Sequence, residues 1–289
     1  MKVSEDKSLF DLINDAKKTL HDNNIISSNL ESVILFSHFL NLSREDILLK
    51  SKEIYPKQSN IDNINLAIAR RLSGEPISHI IGHREFYSLE FDIDCNVLDP
   101  RPDSEILIEE AIKLSGNFNN PINILELGVG SGCLILTLLN NIQNSIGTAI
   151  DINPKSLIIA KNNAKKLNLE EKIKFIQSNW FDNISNQKFD IIISNPPYIK
   201  TGDINNLQTE VKDFEPIIAL DGGDDGLDCY REIAKNINKF LHEESILILE
   251  IGQNQEDDIV NIFKDNDLKL IKYAKDLNSI IRCLIFAKK

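Results

Sequence analysis

Leu9, Phe10, Leu12, Ile13, Ala16 and Leu20 recur at helical spacing near the start of the chain, with charged and amide residues between them. A second helix is predicted to begin near Ser27 to Asn29, with Val33, Ile34, Phe36 and Leu40 on its buried side. SREDILLK follows, with Ser43 as N-cap, and then IDNINLAIARRLSGEP, which Gly74 and Pro76 bring to an end. Residues 1–75 therefore read as a small bundle of about four short helices. No strand-like alternation and no chemistry is visible in them.

From residue 76 to 98 the pattern changes. ISHIIGHREFYSLEFDIDCNVL is rich in β-branched and aromatic residues and has a turn near Ser88, so it reads as a β-hairpin linker. Beyond Pro102, strand and helix signals alternate. INILEL, IGTAID, KIKFIQSN, FDIIIS and SILILEI read as strands; CLILTLLNNI, NPKSLIIAKNNAKKLN and YREIAKNINKFL read as helices. Such alternation predicts an α/β fold over 99–289, a doubly wound and mostly parallel sheet. The closing LKLIKYAKDLNSIIRCLIFAKK reads as two strands with a turn, suiting an antiparallel edge.

Composition narrows the function classes. The chain has 289 residues, 42% of them hydrophobic, and a net charge of −12. This is globular composition without the basic excess needed to grip a phosphate backbone, so no direct nucleic-acid partner is expected. No apolar run approaches the ~18 residues of a membrane span, and the opening residues lack the core of a signal peptide. The four cysteines are scattered with no metal or redox spacing, which suits a reducing cytoplasm. His79 and His83 share a helical spacing, but Gly82 lies between them and no HExxH pattern accompanies them, so no metal is expected.

ELGVGSGCL sets Gly128, Gly130 and Gly132 directly after the first core strand and ahead of a helix. Glycine there lets the backbone turn tightly and approach a ligand, and the carboxyl edge of an open α/β sheet is where ligands bind. A dinucleotide fingerprint requires a glycine where Cys133 stands, and a P-loop requires an absent GK[ST]. Asp151 ends the next strand, placed to accept from both hydroxyls of a ribose. A nucleoside without a phosphate grip is indicated, and S-adenosylmethionine fits better than NAD. Glu126 is either a further ligand or a satisfied strand-end acid.

SNPPYIK follows the strand FDIIIS. Pro196 and Pro197 carry no N–H, and the residues preceding them are held extended. With the amide oxygen of Asn195, the stretch becomes a wall of acceptors suited to the two N–H donors of a planar –NH2 group. Such a nitrogen is a poor nucleophile because its lone pair is delocalised, so holding it still beside an electrophilic methyl is the chemistry to supply. Tyr198 either stacks on the flat substrate group, faces a sulfonium, or forms a plain pocket wall.

Taken together, GHREFYSLEFDIDCNVLDPRPDSE (82–105), ELGVGSG (126–132), SNPPYI (194–199), VKDFEPIIALDGGDDGLDCYR (211–231) and LEIG (249–252) resemble the release factor glutamine methyltransferases of the HemK or PrmC type. SNPPY alone is shared with adenine and guanine methyltransferases, so the other motifs carry the assignment. The resemblance implies a class I, Rossmann-like methyltransferase that modifies the GGQ glutamine of peptide-chain release factors. It implies that Gly128, Val129, Gly130, Ser131, Gly132, Asp151, Trp180 and Asn195 contact S-adenosylmethionine, with Trp180 near the adenine. Asn195, Pro196, Pro197 and Tyr198 would hold the glutamine, with Asn195, Pro196 and Tyr198 catalytic. Asn179 stands where relatives often have aspartate. Arg101 and Glu215 belong to family motifs that assign them no role here, a structural ion pair or hydrogen bond being the plainer reading. Asp221 to Gly226 would shape the pocket, and the helical domain would help dock the release factor. A nucleic-acid amine methyltransferase and a non-catalytic cofactor-binding protein are the competing readings.

Overall fold

In the computed structural model, which describes residues 7–118, 121–185 and 187–289, the chain divides into two units that part between Gly82 and His83. The first holds α1 (Leu9–Asp22), α2 (Ser28–Leu40), α3 (Arg44–Lys50), α4 (Gln58–Leu72) and α5 (Ile77–Ile81). Ser8 and Ser43 cap α1 and α3 by accepting from Asp11 and Asp46 backbone N–H groups, as their position before an apolar-periodic run requires. Leu9, Leu12, Ala16, Phe36, Ile47, Ile61 and Ile64 form the core of the unit.

Phe36 is in the core as expected, and Val33 and Leu40 pack against it, but the most buried side of α2 is centred one step away. Glu31, Ser32, Leu35 and Phe36 are buried, whereas Val33, Ile34 and Leu40 are only partly covered. In LESVILFSHFL apolar residues run round the helix, so periodicity does not choose a side. A charge does: the Glu31 carboxylate pairs with Arg71 of α4 at 2.6 Å and accepts from Ser27 Oγ at 2.7 Å. A buried ion must face its counter-ion.

The segment expected as a hairpin over 76–98 is split. Residues 77–81 close a helical turn between Pro76 and the left-handed Gly82. The hairpin itself is β1 (His83–Phe86) and β2 (Leu89–Asp92), turned by Tyr87 and Ser88 at φ 50° and 62°. Two positive φ values in a two-residue loop match the twist of the strands.

The second unit continues with α6 (Glu105–Ser115), β3 (Ile122–Leu127), α7 (Cys133–Asn141), β4 (Ser145–Asp151), α8 (Pro154–Lys166), β5 (Ile173–Gln177) and β6 (Phe189–Ser194). It closes with α9 (Thr209–Lys212), α10 (Asp228–Ile237), β7 (Leu241–Glu250), α11 (Glu256–Lys264), β8 (Leu268–Lys275) and β9 (Ile281–Lys288). The sheet order is β5-β4-β3-β6-β7-β9-β8. Every pairing from β5 to β7 is parallel, and β9 runs antiparallel to both neighbours, one place in from the edge strand β8. Helices α6 and α11 were not read from the sequence.

Both faces of the sheet are covered, which is why its strands read as continuous apolar runs. Along β6, Ile191 and Ile193 join one core with Leu107, Leu134 and Leu157. Ile192 joins the other with Tyr230, Ile233 and Phe263. From β3 the chain winds through β4 to β5, then returns to β6 on the other side of β3. The carboxyl ends of β3 and β6 therefore flank the switch point of the sheet, where a crevice must open.

Candidate active site

The crevice is a cavity of about 270 Å³. Gly128, Val129, Gly130 and Ser131 line it from the end of β3, Asp151 from β4, Trp180 from the turn after β5, and Asn195 and Pro197 from the end of β6. These expected residues come together. Gly132, Pro196 and Tyr198 do not line it. Gly132 begins α7 at φ 83°, and a Cβ there would lie 2.9 Å from Leu136 and 3.3 Å from Ala160, so it serves helix packing. Pro196 is buried. Tyr198 turns away and donates its hydroxyl to Glu250 at 3.3 Å.

Asp151 holds the loop it faces. One carboxylate oxygen accepts from Gly130 N at 2.9 Å and the other from Asn153 N at 2.8 Å. A carboxylate has about four acceptor sites, so room remains for two hydroxyls. Burial raises its pKa against the lowering pull of those backbone N–H groups. Glu126, also on the lining, accepts from Ile135 N in the first turn of α7 at 3.1 Å, and burial pushes its carboxyl well above the usual range. It is both a satisfied strand-end acid and a wall of the cavity.

Trp180 has φ 46°, a region that bulky residues rarely enter. Ser178 enforces it: its hydroxyl donates to Trp180 O at 2.8 Å and accepts from Asn183 N at 3.0 Å. Backbone held in this way marks a position whose side chain must point to a set place. Asn179 and Ser178 line the cavity beside it.

The Asn195 amide is oriented by one bond. Its Nδ2 donates to Ser104 Oγ at 3.4 Å, which leaves Oδ1 as an unspent acceptor on a residue that lines the cavity. The stretch behind it is clamped: Gln255 Nε2 donates to Tyr198 O at 3.0 Å, and Gly222 N to Ile199 O at 2.8 Å. The loop 221–226 lies directly on this backbone. A Cβ on Gly226 would lie 2.5 Å from Tyr198 O, at a φ of 79°.

Sequence reasoning missed part of the lining. Asn96, Val97, Leu98, Pro100 and Ser104 enter from the segment between the hairpin and α6, and Pro216, Ile218 and Ala219 from the segment before the 221–226 loop. Both lie inside quoted motifs, but nothing in a linear pattern says which way an irregular segment faces. Arg101 and Glu215 form the expected ion pair; Glu215 is buried and its carboxyl is pushed up to about 7 by burial, against the pull of Arg101. Arg101 is the one basic residue on the described lining, facing the acids Glu126, Asp151 and Asp221. With Glu126 held toward its neutral form by burial and Arg101 already paired, the described lining offers no free cation to grip a phosphate.

Comparison with known proteins adds the following. Residues 11–82 match the PrmC N-terminal domain family and residues 103–212 the Methyltransferase small domain family. A "Bifunctional methyltransferase" of Rickettsia bellii is 38% identical over 94% of this chain and 53% of its own length. The chain thus spans about half the length of the curated relatives it matches first. A "Release factor glutamine methyltransferase" of Agrobacterium fabrum is 35% identical over 94% of this chain and 95% of its own. Among solved structures, a methyltransferase from Pyrococcus furiosus superposes with a TM-score of 0.52 over 76% of this chain and 96% of its own, at 18% identity, which supports the fold.

Proposed function

The chain belongs to the family of release factor glutamine methyltransferases, and from that premise we propose that it transfers a methyl group from S-adenosylmethionine to the side-chain amide nitrogen of the GGQ glutamine in a peptide-chain release factor. The observation that carries the reading is the convergence of Asp151, the glycine loop and Asn195, its Oδ1 unspent, on one cavity.

The residues present fit the cofactor. Asp151 has free acceptor sites for a ribose, and Trp180 and Asn179 flank a place for the adenine. When bound, S-adenosylmethionine supplies an electrophilic methyl carbon on a sulfonium. The chain positions the nucleophile. Asn195 Oδ1 accepts an N–H of the glutamine amide, with Pro197 on the wall beside it, aiming its nitrogen and favouring the geometry that localises the lone pair. Positioning of this kind is worth ~7–11 kcal/mol of a barrier. As the nitrogen takes the methyl group it loses one proton to water, and the N-alkylated amide cation is acidic enough to need no dedicated base. Tyr198 supports the stretch from behind rather than touching the substrate. A cytoplasmic location agrees with a translation-factor substrate and with four free cysteines.

The test is transfer from labelled S-adenosylmethionine to a purified release factor. Label is expected in the intact factor and absent when the GGQ glutamine is replaced; incorporation into DNA or ribosomal RNA instead would sink the reading.

A further inference from the structure

A side-chain relay joins Asn195, just after β6, to the end of the neighbouring strand β7. Asn195 Nδ2 donates to Ser104 Oγ at 3.4 Å, and the Ser104 hydroxyl donates in turn to Glu250 Oε2 in a short bond. Glu250 ends β7, is 2% exposed, and receives the Tyr198 hydroxyl on Oε1 at 3.3 Å. A serine hydroxyl has one proton. Spent on Glu250, it leaves only lone pairs for Asn195, so the amide must turn its NH2 toward Ser104 and its oxygen toward the cavity.

We propose that Glu250 and Ser104 are positioning residues that fix the flip of the Asn195 amide, so that an acceptor and never a donor meets the substrate nitrogen. The inference rests on the reading that the substrate is an amide N–H donor. If Glu250 is replaced by a group that can donate to Ser104, the serine proton is released to bond Asn195 Oδ1. The Asn195 NH2 then swings into the cavity, where it opposes the NH2 of the substrate. The 3.4 Å link is long for a hydrogen bond, so the preference for one flip depends on the anion behind it.

Protonation of Glu250 has the same effect as that replacement. The groups facing it are Ser104 and Asp103 from the turn before α6, Tyr198 from the Asn-Pro-Pro-Tyr stretch, Tyr230 from α10, Cys133 from α7, and Arg282 and Cys283 from β9. Burial raises the Glu250 pKa to about 7, against the lowering pull of Ser104, Arg282 and Tyr198. Turnover is therefore expected to rise with pH as Glu250 ionises, and this limb is expected to vanish in Glu250→Gln.

The experiment compares Glu250→Gln, Ser104→Ala and Ser104→Thr with the wild type on a release factor. The first two are expected to lower kcat roughly 10- to 100-fold while leaving the Kd for S-adenosylhomocysteine within about threefold. Ser104→Thr keeps the hydroxyl and is expected to restore most of the loss. The double variant Ser104→Ala, Glu250→Gln should be no worse than the poorer single one, because both break the same relay. A neutron structure of the deuterium-exchanged wild-type protein gives a readout that needs no substrate: the Ser104 deuterium should point at Glu250 and the Asn195 ND2 group at Ser104. Should Glu250→Gln not fold, Ser104→Ala against Ser104→Thr carries the same comparison. A wild type that methylates the factor no faster than these variants, or a Ser104 deuterium aimed at Asn195, overturns the inference. A wild type that methylates no release factor overturns the proposed function instead, and the deuterium positions still decide the relay.

Discussion

Asn195 and Asp151 are legible in the sequence because each ends a core strand and carries chemistry in its own side chain. On the proposed reading, Asn195→Ala deletes the aiming oxygen but little of the cofactor wall. Equilibrium binding of S-adenosylmethionine should stay within about tenfold while most single-turnover methylation is lost, since a transition-state contact affects rate more than ground-state binding. Equal losses in both measurements would make Asn195 chiefly a cofactor ligand. Asp151→Ala should behave oppositely. It releases Gly130 N and Asn153 N and, on the proposed reading, removes the ribose acceptor, so calorimetry should show cofactor affinity falling by tenfold or more, on the order of 1–3 kcal/mol. Ser104 and Glu250 were not legible as partners of Asn195. Their contact joins positions 146 residues apart, and neither residue type signals its role without its neighbour.

Among the elements, the strands of the sheet and helices α7, α8 and α10 follow from apolar runs bounded by glycine, asparagine and proline. The misreadings have separate causes. In α2 a buried ion pair chose the face; in α5 three isoleucines that favour strands were closed into one turn by Pro76 and Gly82. The 221–226 loop shows how tightly an irregular element can be specified. Gly226→Ala puts a Cβ against the Tyr198 carbonyl in left-handed backbone, and it should lower the denaturation midpoint by the equivalent of about 1–3 kcal/mol and disturb turnover with it. A midpoint equal to that of the wild type would show the loop to be looser than its contacts imply. Buried acids give the sheet a pH signature. Glu250 and Glu215 are both raised from 4.5 to about 7, so between those values the folded chain holds more protons than the unfolded one. Their contribution makes stability fall as pH climbs through that window. Urea unfolding of Glu250→Gln against the wild type should show the difference shifting in favour of the variant from pH 5 to pH 8, on the order of 1–3 kcal/mol.

Across the whole molecule, the division into a helical part and an α/β part was readable because hydrophobic periodicity changes near residue 80. The boundary was not: the structure parts the units between Gly82 and His83 and gives the hairpin to the second. There β2 is tied to α8 by Asn163, which accepts from Asp92 N at 2.8 Å and donates to the carbonyls of Asp92 and Ser131 at 2.9 Å. All the described lining of the cavity lies between Asn96 and Cys229. Residues 83–289 produced alone should therefore bind S-adenosylhomocysteine within about threefold of the full chain by calorimetry. Loss of that binding would mean that the helical part completes the site.

The pairing of Leu127 with Ser194 places the two ends of the crevice side by side although 67 residues separate them, and Ser194 Oγ locks the alignment by donating to Leu127 O at 2.7 Å. A deletion of one residue within FDIIIS would pull everything after it back by about 3.3 Å and invert which side chains meet each core. The spacing between the Asn195 side and the glycine-loop side of the crevice is thus measured out in whole steps of a β-ladder. Such a ruler tolerates no half-steps, and length changes in this protein should be confined to the turns away from that edge.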